Sequence, residues 1–379
     1  MSQTQEAQTI NVKSKRLVSL DALRGFDMFW IVGGDRLLKA LLLVMGLESA
    51  HAAVSKQFIH APWHGFTAYD LIFPLFLFIS GVTMPFSLGK QIQTGTPRSK
   101  IYLKIFKRGL LLVLLGCIYN GMLSLDFANL RYPSVLGFIG LSWMFAALIF
   151  VNTTWKSQLG WTAGLLLVYW GAMTFVPVPG HGAGDLSMEG NLVGYIDRLI
   201  LPGKLYRGVF DPQGTFSLVT GTGTALIGAL AGTMLVGKNK LSEKWLTVGL
   251  LVLAGIGCVL LGLLWNIVFP INKEMWTSSF TVFTAGLSFL LLAVFYSIID
   301  VIGFSRWAFP FILIGLNAIT IYLGAHHVIN FGHTTNFFFA GLVNKVGGNW
   351  GHFIWAFGFV LIELTFLYVL YKKKLFLKV

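Results

Sequence analysis

The sequence predicts an all-α protein: a polytopic membrane helix bundle of about ten transmembrane helices, with both termini on the cytoplasmic side. Three observations carry this expectation. Hydrophobic residues make up 55% of the 379 and charged residues only 11%, against roughly 25% charged in a soluble domain. Apolar stretches of about 20 residues, long enough to cross a hydrocarbon core, recur along the whole chain. The basic residues also fall unevenly between the two sets of loops.

Ten spans are expected, near 17–36, 67–89, 101–121, 133–152, 158–177, 214–237, 243–269, 277–300, 307–329 and 350–371. The first sixteen residues are polar and end in Lys13, Lys15 and Arg16, which reads as a cytoplasmic tail rather than a cleavable signal. Residues 17–371 then form one membrane domain, and 372–379 a basic cytoplasmic tail. If the N-terminus is inside, the inner tails and loops hold 18 of the 28 Lys and Arg, as the positive-inside rule requires. That rule accounts for the net charge of +13 without nucleic acid. Cys117 and Cys258 both lie in apolar segments, so neither a disulfide framework nor a zinc or iron–sulfur pattern is expected.

The outer loops are the long ones: 37–66, 178–213 and 330–349. The first contains LLKALLLVMGL, apolar but too short to span, and reads as an interfacial or re-entrant helix. The second is rich in Gly, Pro and mixed charge, as in an irregular but ordered loop. The outer face thus has room for a large substrate, while the inner face is a ring of positive charge.

Ionisable groups inside spans are costly and mark partners or cavities. Asp21 and Arg24 are three apart on the first helix. They either neutralise each other or leave Arg24 to contribute to an anion site, since a guanidinium fork suits phosphate. Asp27 lies in the same helix, with Asp35 and Arg36 at its outer end. His60, His64 and Asp70 gather at the mouth of the second span, beside Trp63. Histidine suits proton transfer near neutral pH, and a nearby carboxylate orients it. The alternative is a pair of histidines solvated at the interface. Pro62 and Gly65 argue against the regular helix that zinc binding by His60 and His64 would need. Asn266, Asn272, Lys273, Trp276, Asn317, His326 and His327 are helix–helix glue singly, or together a polar cavity.

Several stretches then resemble a known family: RLVSLDALRGFDMFWIV (16–32), HAPWHGFTAYDLIFPLFLFISG (60–81), LRYPSVL (130–136), YIDRLILPGKLYRGVFDPQG (195–214), PINKEMWTSSFT (270–281), GLNAITIYLG (315–324) and YKKKLFLK (371–378). In order and in their rare polar residues they are similar to the transmembrane acetyltransferases typified by heparan-α-glucosaminide N-acetyltransferase and its bacterial relatives. The resemblance implies that acetyl-CoA on the cytoplasmic side donates its acetyl group to an amino sugar, or a glycan ending in one, on the other side of a bacterial inner membrane. It places His60 at the family's catalytic histidine, Asp70 at the accompanying aspartate and Arg24 at the CoA end. The resemblance implies a form without the family's lumenal N-terminal domain, as in its bacterial relatives. Asp35 stands where the family has asparagine, and Gly324-Ala325-His326 replaces Gly-His-Glu.

The expected catalytic set is therefore His60, Asp70 and Asp35, with Asp35 binding or deprotonating the sugar ammonium. Arg24, Lys107, Arg108 and Asn317 are expected on the donor, Asn317 as an oxyanion donor. Asp35, His64, Trp63, Asn272 and Trp276 are expected on the acceptor. No metal is expected. Partners are the acceptor and membrane lipid, with a homodimer left open. A polysaccharide O-acetyltransferase, or a sugar or amine transporter using the same polar cavity, are the competing readings.

Overall fold

The computed structural model describes residues 17–325 and 329–377. His326 and His327, the basic cluster Lys13, Lys15 and Arg16, and Lys378 lie outside the described residues. The architecture is helical; the expected ninth span, 307–329, is broken at Asn317 into Phe309–Leu316 and Ala318–Leu323, and part of it lies outside the described residues. Among the described residues, six helices are long and apolar enough to cross a membrane: Ala68–Gln93, Val135–Asn152, Leu218–Leu235, Leu241–Trp265, Ser278–Val301 and Gly348–Lys372. Two more, Arg98–Tyr119 and Trp155–Phe175, are 22 and 21 residues long but more polar.

Two other segments differ from the sequence expectation. Gly33-Gly34 followed by Asp35-Arg36 reads as a helix end. The first helix stops sooner: Val18–Phe29 runs into a kink at Trp30–Gly34, where Gly33 takes φ 137°, and a second helix, Asp35–Val44, follows. The kink uses a backbone geometry that only glycine tolerates without strain. The apolar 11-mer lies largely in that short second helix, and Asp35 opens it rather than ending the first. The expected loop 330–349 contains the helix Phe331–Val346. Asn330 caps it by accepting from the His333 amide at 2.8 Å, and Gly347 stops it at φ 66°. The stretch 178–213 is irregular as expected, apart from a two-residue hairpin (Pro177–Val178 with Gly182–Ala183) and the helix Leu192–Ile200.

The helices pack through small residues. A Cβ on Gly25 would stand 1.6 Å from the Phe311 carbonyl oxygen, and one on Gly315 2.0 Å from that of Asp21. This brings Val18–Phe29 into backbone contact with Phe309–Leu316. Gly81 and Gly228 do the same for Ile72–Val82 and Leu218–Leu235, with virtual Cβ contacts of 2.0 and 2.1 Å on the opposing carbonyl oxygens. Gly228→Val is expected to destabilise the protein by roughly 1–3 kcal/mol through overpacking, read as a lower melting temperature in detergent. An unchanged melting temperature would remove this contact from the account of the bundle.

Asp197, in the short helix after the hairpin, is fully buried and accepts from the Thr215 amide at 2.8 Å and hydroxyl at 3.0 Å. Burial is the main cause pushing its carboxyl up to about 6, from 3.8 for the free side chain. The folded state then holds a proton that the unfolded chain has released. Stability from this group is full below about pH 4 and falls as pH rises to about 6. Asp197→Asn keeps an acceptor for Thr215 and cannot ionise. Melting curves from pH 4 to 7 should therefore decline for the parent relative to the variant.

Candidate active site

Asp70 is the anchor of the site, and local sequence explains its burial. Thr67 and Asp70 form a capping box at the start of the 3-10 turn Ala68–Leu71, which leads into the helix Ile72–Val82. Asp70 Oδ2 accepts from the Thr67 amide (2.9 Å), the Thr67 hydroxyl (3.0 Å) and the Ala61 amide (3.3 Å). Its Oδ1 meets His60 Nδ1 at 2.7 Å. With the carboxylate accepting from Nδ1–H, Nε2 is left as the basic nitrogen of the ring. Tyr69 lies against the imidazole, ring centroids 4.7 Å apart. The T-x-x-D spacing at 67–70 was the sequence signal for Thr67, which motif reading alone passed over.

A second loop, 266–277, closes on the first. The Gly65 amide donates to the Ile271 carbonyl at 2.8 Å, and the Asn272 amide group lies 3.3 Å from His64 Nδ1. Burial pushes the His64 imidazole down, toward the neutral form that accepts from Asn272. Asn272 Oδ1 in turn accepts from the Met275 amide at 2.8 Å. This stitching sets Lys273 Nζ 4.0 Å from Asp70 Oδ1.

His60, Tyr69, Gln213 and Lys273 line one end of a cavity of about 280 Å³. Its remaining walls are largely apolar: Met28, Ile31, Phe73, Phe76, Leu136 and Ile139, with Tyr119 and Tyr322 stacked 5.0 Å apart. A second cavity of about 310 Å³ is lined by Arg24, Ser80, Arg108 and Leu112, and by Phe376 and Leu377 of the C-terminal tail. The two share Phe76, Leu136, Ile139, Ala318 and Ile319. On the helix Arg98–Tyr119, Arg108 faces one cavity and Tyr119 the other, eleven residues or about 16 Å apart. The two cavities thus lie against the same five residues, one lined also by Arg24 and Arg108 and the other by His60.

The expected residues divide on this geometry. His60 lines the first cavity, and Arg24 and Arg108 line the second. Arg24 Nη1 is 3.8 Å from Asp21 Oδ1, and the Arg108 guanidinium stacks 4.0 Å over Trp143. Lys107 is exposed on the same helix and lines neither cavity. Asp35 is paired with Lys39 at 3.0 Å and is not on the cavity wall. Trp63 donates to the Leu186 carbonyl at 2.8 Å, which ties the loop to the long connection rather than to the cavity. Trp276 is buried among Phe73, Phe138 and Phe280 and donates to Thr224 at 3.1 Å. It supports the wall through Phe73. Asn317 is buried at the break between Phe309–Leu316 and Ala318–Leu323, behind residues that line both cavities. Among the described residues, no group of three or more His, Cys, Asp or Glu could hold a metal ion.

A family profile described as "Domain of unknown function (DUF5009)" matches residues 16–127, which include Arg24, His60 and Asp70. The heparan-alpha-glucosaminide N-acetyltransferases of Mus musculus and Homo sapiens are each 29% identical to this chain, over 385 and 383 residues and 85% of its length. The chain spans 56% of the length of either relative. The likeness carried by the motifs is thus a likeness along most of this chain, which is similar to these heparan-alpha-glucosaminide N-acetyltransferases over 85% of its length.

Proposed function

We propose that the protein is an acetyl-CoA-dependent membrane acetyltransferase, acting on an amino sugar across a bundle of ten crossings with both termini inside. One observation carries the proposal: the two cavities share a wall, so an elongated donor can lie with its charged end at Arg24 and Arg108 and its thioester beside His60. Guanidinium groups suit phosphates, and the shared apolar wall suits a thin, uncharged arm. Asp70 fixes the ring of His60, whose Nε2 takes the proton from the attacking amine. The acceptor approaches from the His60 end, where the long loops leave room. The names of the two relatives support an amino sugar as acceptor.

The test is incubation with labelled acetyl-CoA and glucosamine, N-unsubstituted heparan fragments or muropeptides, followed by mass spectrometry. Amide-linked label on an amino sugar is the expected product. Label removed by hydroxylamine would mean an ester and a polysaccharide O-acetyltransferase. Accumulation of the sugar in vesicles without acetyl-CoA would mean a transporter.

Donor binding has its own check. CoA should raise the melting temperature of the purified protein. Arg24→Ala should weaken CoA binding about tenfold or more through loss of a charge-assisted contact, with a smaller effect on the rate at saturating donor. Unchanged CoA affinity in the folded variant would leave Arg24 a structural role, beside Asp21.

A further inference from the structure

We propose that Lys273 is a second catalytic residue, whose ammonium holds the negative charge that develops on the thioester oxygen. The inference rests on the acetyl-transfer reading above. Lys273 lines the same cavity as His60 and is the one lysine or arginine among the described residues that does so. Its side chain is only 13% exposed, and it makes no hydrogen bond among the described residues. Asp70 is its counter-charge, in an ion pair at 4.0 Å that is beyond hydrogen-bond reach, and both Asp70 oxygens already have hydrogen-bond donors. Glu274 is engaged by Arg207 at 3.4 Å. The three ammonium protons therefore remain for a group that enters the cavity.

The position is built in advance. The Asn266 side chain accepts from the Ile271 amide at 2.7 Å, and the Thr277 hydroxyl donates to the Pro270 carbonyl at 2.9 Å. These hold the loop on either side of Lys273 without help from substrate. Fixed donors aimed at developing charge, inside a largely apolar cavity, are the arrangement that stabilises an oxyanion best.

The step balances as follows. The amine nitrogen attacks the thioester carbonyl carbon and a C–N bond forms. The carbonyl electron pair moves to oxygen, where Lys273 receives it. His60 Nε2 takes the proton from the new ammonium. The oxygen pair returns, the C–S bond breaks, and the departing thiolate takes that proton from His60. The products are the N-acetyl compound and CoA.

The groups facing Lys273 are Asp70, Glu274 and Arg207, with His60, Tyr69 and the Tyr119–Tyr322 pair on the same cavity. Burial pushes the Lys273 ammonium below the ordinary lysine range, while Glu274 and Asp70 oppose that shift. The parent rate should therefore fall at alkaline pH as Lys273 loses its proton. An arginine does not deprotonate in that range.

The experiment measures acetyl transfer to glucosamine, with labelled acetyl-CoA, in the parent, Lys273→Met and Lys273→Arg across the pH range, beside CoA-dependent melting curves. Lys273→Met is expected to lose about 10²–10³ in kcat, with the donor KM within about threefold of the parent. Lys273→Arg is expected to retain more of the rate and to lose the alkaline fall. A Lys273→Met kcat within about threefold of the parent would overturn the assignment. So would an alkaline limb in Lys273→Arg that superimposes on the parent's, and that second variant decides the matter if Lys273→Met does not fold. A parent that transfers no acetyl group at all would remove the enzyme reading itself, whereas an active parent with unaffected variants removes only Lys273.

Discussion

Replacing His60 by alanine is expected to lower acetyl transfer by roughly 10²–10⁴ and to leave the CoA-induced rise in melting temperature intact. The reasons are geometric. His60 is the imidazole on the cavity wall, and its Nδ1 is committed to Asp70 at 2.7 Å, so Nε2 is the group left to move a proton. The ring contributes little to folding, because its side chain is 43% exposed and its partner has three other donors. The donor's charged end is expected at Arg24 and Arg108, in the other cavity. Loss of rate without loss of CoA binding is therefore the signature. A variant with a rate within twofold of the parent would exclude His60 from the chemistry. A burst of acetylated protein in the absence of acceptor would instead make His60 a nucleophile.

Asp70→Asn should cost a similar factor by a different route. An asparagine keeps one oxygen for the Thr67 and Ala61 donors but can turn its NH₂ toward His60. Nδ1 must then accept, the proton moves to Nε2, and the base is lost while the geometry persists. Reversal of an imidazole tautomer by this substitution is expected to cost on the order of 10²–10⁴ in kcat. Asp70→Ala separates catalysis from folding. It strips the capping box and leaves the Thr67 and Ala61 amides without their acceptor, at about 1–3 kcal/mol for each buried group left unpaired. The alanine variant should thus melt well below the asparagine variant, although both are slow. Equal melting temperatures with unequal rates would show that Asp70 does not hold the turn.

The bundle and half of this site were legible in the sequence because they rest on local signals. Spans follow from runs of apolar residues, and His60 and Asp70 stand ten positions apart around a turn. Lys273 was visible as a polar residue after a span, but its partnership with Asp70 depends on two loops about 200 positions apart. No local pattern encodes that closure. Trp276 and Trp63 show the converse limit. Both are polar-tipped residues near the site, yet their indole N–H groups are taken by Thr224 and by the Leu186 carbonyl. Composition cannot tell a ligand-facing indole from one satisfied in the wall. The break at Trp30–Gly34 falls where two glycines before two charges signal it, with Gly33 at φ 137° beside Phe359 and Val360, but nothing local showed that a second helix starts at once. Asp35 opens that helix, one turn before the lysine that pairs with it.

The wall shared by the two cavities has an electrical meaning. Phe76, Leu136, Ile139, Ala318 and Ile319, which line both cavities, carry no hydrogen-bonding side chain. An ion passing between the cavities along these residues would have to shed its water with nothing there to replace it. A membrane potential of 100 mV is worth about 2.3 kcal/mol for each elementary charge carried through, far less than that penalty. On the proposed reading, the uncharged middle of the donor lies along this apolar wall. The acetyl group alone then changes sides, nucleotide and sugar each stay in their own compartment, and the cell's ion gradients are not discharged by turnover.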